Sequence, residues 1–238
     1  MTPNRRTLLW LAVAALLAVV VAVQTVSTVS HRSGALAARS GMPTVAPGAD
    51  VLAGITVVPV RTHRFDYRRS LFGDAWDDDN DALGGHNGCD TRNDVLNRDL
   101  VEITHVSTTR CPEAVATGVL HDPYTNATVA FTRGPKIGEA VQIDHIVPLA
   151  YAWDMGASAW GYRQRLRFAN DPANLLAVAG QGNQDKGDAG PGQWMPPNKS
   201  FACQYAIAYI SVLRGYALRL DAPSAEVLRR AAATCPTG

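Results

Sequence analysis

An α+β fold in one domain, preceded by an N-terminal apolar helix, is predicted by three features of these 238 residues. Short β-branched runs recur between Gly-, Asn- and Asp-rich turns. Two amphipathic stretches at the helical period close the chain. An uninterrupted apolar run near the start is set off from the rest by a small-residue segment. The length suffices to bury a core. The 47% apolar and 18% charged residues exclude a disordered chain.

The elements follow in order. Arg5 and Arg6 precede Leu8–Val23, a 16-residue apolar segment that has the form of an export signal. With its flanks it reaches about 20 residues, enough to span a bilayer. Residues 1–30 are thus a signal peptide or an uncleaved membrane anchor, and either address is extracytoplasmic. Ala35-Leu36-Ala37 has the small-x-small form of a cleavage site but stands twelve residues past Val23, which favours the anchor. Residues 31–50 read as a linker, and 51–238 as the folded domain. Ile55–Val60 is a short strand that Pro59 confines to a sheet edge. Residues 73–94 form an ordered loop pinned by Cys89. Asp94–Ile103 spaces Val95, Leu96, Leu100 and Ile103 helically, with a strand ending as the alternative. Gly118–Phe131 reads as a hairpin turning at Asp122–Asn126. A strand at Val141–Ile143, a helix near Ala157–Phe168, a strand at Asn174–Val178 and a short helix from Gly182 come next. In the first closing helix Cys203, Ala206, Ile207, Ile210, Leu213 and Ala217 share a face. The second starts near Pro223, a favoured first-turn residue.

Four cysteines suit an oxidising compartment and show no CxxC spacing for a metal. Of three possible pairings, Cys89–Cys111 and Cys203–Cys235 each tie a local unit together. The formal net charge is +1, and setting aside Arg5 and Arg6 leaves 20 basic against 21 acidic residues. A generally basic coat for nucleic acid is excluded, so polyanion binding must come from a local patch or a metal ion.

The chemistry is concentrated in Gln142-Ile-Asp144-His145-Ile-Val-Pro148, Asn174-Leu-Leu and Asn183-Gln-Asp-Lys186-Gly-Asp188. An acid and an imidazole leave a strand end side by side, where Pro148 stops the strand. A second strand and a short helix follow, the helix presenting Asn183 and Lys186 on one face. One carboxylate and one amide oxygen suit a hard, partly hydrated Mg²⁺ (or Mn²⁺) and are too poor for zinc. A histidine beside such an ion, but not bound to it, is a natural base for activating water.

At these residues the sequence resembles the HNH (ββα-metal) endonucleases in their H-N-N form, including the HNH domain of RNA-guided CRISPR nucleases. The resemblance extends to exported actinobacterial HNH proteins through Phe72-Gly73, Gly88–Asp94, Arg98-Asp99-Leu100, Asp122-Pro-Tyr124, Phe168–Pro172 and Trp194–Asn198. It implies a domain built round a ββα-metal motif and a metal-dependent endonuclease of low sequence specificity, acting on DNA or alternatively RNA. It implies that Asp144 and Asn183 hold the ion, that His145 takes a proton from water, and that Asn174 holds the His145 loop by a hydrogen bond. Lys186 would neutralise phosphate charge. Where the family's usual third position is His, this chain has Asn183.

Plainer readings compete. Asn183 also suits a helix N-cap, and Lys186 a solvated charge. Arg92 either contacts DNA or braces Asp94 and Asp99. Arg163 and Arg167 are candidate phosphate contacts on what also reads as a plain solvated helix. The acidic run Asp77–Asp81 lacks the ligand alternation of an EF-hand and reads as a solvated loop. Against the enzyme stands a non-catalytic envelope protein that uses the same scaffold to bind nucleic acid or a partner.

Overall fold

The computed structural model describes residues 41–134 and 137–237. Leu8–Val23 and residues 31–40, the first half of the linker, lie outside them. Among the described residues no helix is long and apolar enough to cross a membrane. Residues 43–51 are irregular but docked, with Val45 N donating to Pro236 O.

Strand β1 is only Val57–Val58 and pairs in parallel with β7, Leu220–Asp221. Helix α1, Thr91–Asp99, starts where the Asp90 carboxylate accepts from Asn93 N. It ends at Leu100, earlier than the helical reading through Ile103, because the β-branched run after it pairs into a sheet. That sheet is antiparallel, in the order β2 (Val101–Thr108), β3 (Cys111–His121), β4 (Thr128–Thr132). The β3–β4 hairpin turns where the sequence places it. Helix α2, Ile137–Ala140, leads into β5, Val141–His145.

Helix α3, Leu149–Met155, escapes periodicity analysis because six of its seven residues are buried, so no polar face marks it. The stretch read as one helix near Ala157–Phe168 is a 3-10 turn, Ala157–Ala159, followed by α4, Tyr162–Asn170. Strand β6, Leu175–Ala179, pairs antiparallel with β5, setting Asp144 opposite Leu176 and His145 opposite Leu175. Helix α5, Gly180–Lys186, follows at once. It starts in contact with Glu139, whose carbonyl oxygen would lie 2.0 Å from a Cβ at position 180, so only glycine fits. Gly187, at φ +53°, ends it.

Helices α6, Ala202–Gly215, and α7, Ala222–Ala232, close the chain. The buried face of α6 is wider than the predicted stripe: Tyr205, Tyr209 and Val212 join it, whereas Ala217 lies exposed beyond the helix end. Both disulfides pair as the local reading has them, Cys89–Cys111 and Cys203–Cys235. The larger apolar core gathers α3, α6 and α7. A smaller one lies between α1, β3, β5 and β6. The result is a mixed α+β domain of small sheets and helices.

Candidate active site

Alternation along β5 turns Gln142 and Asp144 to one face, and α5 lies across that face. Asn183 Nδ2 donates to Gln142 Oε1 at 2.8 Å, and Lys186 Nζ donates to Asp144 Oδ2 at 2.5 Å. Asn183 is the fourth residue of its helix and caps nothing. Lys186 is no solvated charge: its side chain is 0% exposed, and Nζ also donates to His145 O at 2.6 Å. Burial pushes its pKa down while Asp144 pulls it up. The ammonium is therefore engaged in holding Asp144 and the end of β5.

Tyr124 supplies a second partner for the same oxygen, its hydroxyl lying 2.5 Å from Asp144 Oδ2. Burial, then the charge of Asp144, drive this phenol's pKa well up, so it stays a donor. Both side-chain hydrogen bonds to Asp144 fall on Oδ2, and Oδ1 has no hydrogen-bond partner among the described residues. The surrounding motif pieces hold Tyr124. Asp122 accepts from Tyr124 N, and from Ala179 N at 3.1 Å where α5 begins. Asn198 donates to Pro123 O and, through its backbone, to Tyr124 O.

His145 leaves the strand on the other side and is 6% exposed. Its Nε2 lies 2.9 Å from Ala169 O, which can only accept, so Nε2 carries the proton and Nδ1 keeps a lone pair. Burial first, then the charge of Arg69, lower its pKa to about 3, so the imidazole is neutral at physiological pH. The Trp76 indole stacks on it at 5.7 Å between centroids, 11° from parallel. Asn174 clamps the following residues. Its Oδ1 accepts from Val147 N at 2.8 Å, its Nδ2 donates to Val147 O at 3.3 Å, and its backbone carbonyl accepts from Ile146 N.

A cleft of about 460 Å³ is lined by Asp144, His145 and Asn183 together with Tyr67, Arg69 and Asp188. A second, of about 210 Å³, lies between His145 and Trp76 and again includes Arg69. Asp144 Oδ1 and the carbonyl oxygen of Asn183 are a hard-oxygen pair that fits a mostly hydrated divalent cation. No group of three or more His, Cys, Asp or Glu able to hold a metal occurs among the described residues.

The remaining arginine candidates do not join the cleft. Arg92 is half-buried and donates to Val141 O at 3.0 Å, at the start of β5. Arg163 pairs with Asp81 on the surface, and Arg167 is exposed on α4. The Asp77–Asp81 run is bonded within its own loop, where Asp78 accepts from Asn87 N and Gly88 N.

The model of the C-terminal domain of GmrSD restriction endonucleases matches residues 90–228. The chain belongs to this family. Asp144, His145, Asn174, Asn183 and Lys186 all fall within the matched GmrSD span, whereas Arg69 and Trp76 precede it. An uncharacterized secreted protein of Arthroderma benhamiae is 34% identical over 196 residues, covering 82% of this chain and 87% of that protein. No solved structure matches.

Sequence reasoning missed Tyr124 as a partner of Asp144, Trp76 as the plate on His145, and Arg69. The first stood inside a quoted motif, Asp122-Pro-Tyr124. The last stood in the basic, aromatic run Arg61-Thr-His-Arg-Phe-Asp-Tyr-Arg-Arg69, a visible signal that was passed over.

Proposed function

We propose that the chain is an exported, metal-dependent endonuclease of the ββα-metal type, built on β5, β6 and α5. It would hydrolyse phosphodiester bonds of DNA with little sequence readout, leaving 5′-phosphate and 3′-hydroxyl ends. One observation supports this above the rest: Asp144, Asn183 and His145 each have one polar side-chain atom fixed by the protein and one left over. Asp144 is held by Oδ2 and keeps Oδ1. Asn183 is held by Nδ2 and keeps its carbonyl oxygen. His145 is held by Nε2 and keeps Nδ1. Such pinning sets reactive atoms without reorganisation during the reaction.

Asp144 and Asn183 would hold Mg²⁺ or Mn²⁺, which when bound supplies positive charge against the scissile phosphate and the departing 3′-oxygen. His145 Nδ1 accepts the proton of the attacking water, while the bond to Ala169 O fixes the ring and its tautomer. Asn174 holds the backbone after His145 in place, and Lys186 and Tyr124 stop Asp144 from rotating. The relative that is a secreted protein and the two disulfides support action outside the cytoplasm.

The test is to incubate the protein with supercoiled plasmid in Mg²⁺, in Mn²⁺ and in EDTA. Nicked and linear products with either ion, and none in EDTA, are expected. Folded protein that cuts neither DNA nor RNA with any divalent ion overturns the reading.

A further inference from the structure

The near-neutral charge of the chain leaves open how the cleft would hold a polyanion. The answer lies upstream of the GmrSD span, in residues 61–72. This strap is bolted to the cleft wall. Arg61 Nε donates to Asp154 Oδ2 at 2.7 Å, and its other nitrogens reach Asp188 O at 2.6 Å and Asp188 Oδ2 at 2.7 Å. Arg64 N donates to Asp154 Oδ1, and Trp153 Nε1 to Asp66 Oδ1. Tyr67 packs edge-on against Trp153. The strap therefore runs from Asp188 to Arg69, both of which line the cleft.

Its charges divide into two sets. Arg61 is neutralised by Asp154 and Asp188, and Arg64 by Asp66. Arg68 and Arg69 are exposed, and neither makes an ion pair or hydrogen bond with a carboxylate among the described residues. Two unneutralised guanidinium groups thus stand on a rigid segment, and Arg69 borders the clefts on both sides of His145. A planar five-donor fork with no protein acceptor suits the non-bridging oxygens of a phosphodiester.

We infer that this strap is a phosphate clamp for a nucleic-acid strand, in which Arg69 takes the phosphate beside His145 and Arg68 a neighbouring one along the backbone. The identity of the anion rests on the endonuclease reading; the placement of the two free guanidinium groups does not. The clamp lends local positive charge to a chain without a basic coat. It would read no sequence, since phosphate contacts position a strand without identifying its bases.

The test is fluorescence anisotropy of a short labelled DNA duplex with the full chain in EDTA, repeated across salt concentrations. Arg69→Ala should weaken binding about tenfold and lower the slope of log Kd against log salt by about one. Arg68→Ala/Arg69→Ala should lower it by about two, and Arg69→Lys should keep the slope. Arg230→Ala, which breaks only an exposed pair with Glu226 on α7, should change nothing. Unchanged affinity and slope in the double variant, or no DNA binding by the parent chain, overturn the clamp. Plasmid cutting by a double variant with parental KM would sink the clamp and leave the endonuclease standing. Loss of binding in the variants of a parent chain that never cuts would retain the clamp and remove the endonuclease.

Discussion

Two buried aspartates each receive a tyrosine hydroxyl at 2.5 Å: Asp221 from Tyr151 beneath helix α7, and Asp144 from Tyr124 beneath the cleft. Asp221 is saturated. Its Oδ1 accepts from Ser224 N and its Oδ2 also from Ser224 Oγ, so the carboxylate caps α7 and has nothing left to offer. Asp144 concentrates its partners, Tyr124 and Lys186, on Oδ2 and leaves Oδ1 without a hydrogen bond among the described residues. The residue type, burial and tyrosine partner are shared. What separates a structural carboxylate from a candidate ligand is the unfilled oxygen, on a residue that lines a cleft.

The sharpest way to break that distinction is to delete each carboxylate. Asp144→Ala should lower plasmid cutting at least about a thousandfold, since one amide oxygen and water cannot hold the ion against bulk hydration. It should also cost stability on the order of 3–5 kcal/mol, because Lys186 loses its ion-pair partner in the interior. Asp221→Ala should cost about 2–3 kcal/mol from the lost cap and hydrogen bonds, with the rate per folded molecule unchanged. Circular dichroism melts and initial nicking rates separate the two. Asn183→Ala removes only a neutral oxygen, so raised Mg²⁺ should restore part of its rate. A cutting Asp144→Ala or a folded but inactive Asp221→Ala erases the distinction.

His145→Ala comes next, with cutting lowered by about a hundredfold or more. Because His145 is buried and stacked on Trp76, this variant should also melt earlier, by about 1–3 kcal/mol of stability. The same burial has an acid signature. In the unfolded chain the imidazole titrates near 6.5, whereas in the folded protein it does so at about 3. Below pH 6.5 the unfolded state binds a proton that the native state refuses, so stability falls as pH drops from 6.5 toward 3. His145→Gln should lose less melting temperature than the parent chain over that window. Parallel losses would place the acid-sensitive group elsewhere.

The parts of this picture that the sequence discloses are those that local patterns carry. The hairpin, the β5 and β6 strands, the closing helices and both disulfide pairs follow from turn residues, periodicity and short loops. The positions Asp144, His145, Asn174, Asn183 and Lys186 follow from motif spacing. Spacing says which residues share a face and not what each side chain meets. Lys186 therefore reads as a surface cation, although its ammonium lies fully buried on Asp144. Helix α3 is invisible because burial on all sides removes its polar stripe. Tyr124, Trp76 and Arg69 reach the site from 20, 69 and 76 residues before Asp144 or His145, through long-range packing with no local signature.

The smallest effect compares the two tyrosines directly. Tyr124→Phe and Tyr151→Phe each delete one hydroxyl and keep the ring, so the edge-on contacts of Tyr124 with Trp194 and of Tyr151 with Tyr209 survive. Each leaves its aspartate with other partners: Lys186 for Asp144, Ser224 for Asp221. Both variants should therefore lose a similar stability, about 1.5–3 kcal/mol, the usual range for a hydrogen bond to a charged group. Their rates should part. Asp221 stays fixed by two bonds from Ser224 and touches no substrate, so Tyr151→Phe should cut at the parental rate. Asp144 would be held by the lysine alone and free to swing Oδ1 out of line with Asn183, so Tyr124→Phe should lose up to about tenfold in kcat, with KM for DNA little changed. The metal concentration for half-maximal rate should rise in the same variant. Equal rates in the two variants would mean that Tyr124 only stabilises the fold, and that the free oxygen of Asp144 is held in place by Lys186 alone.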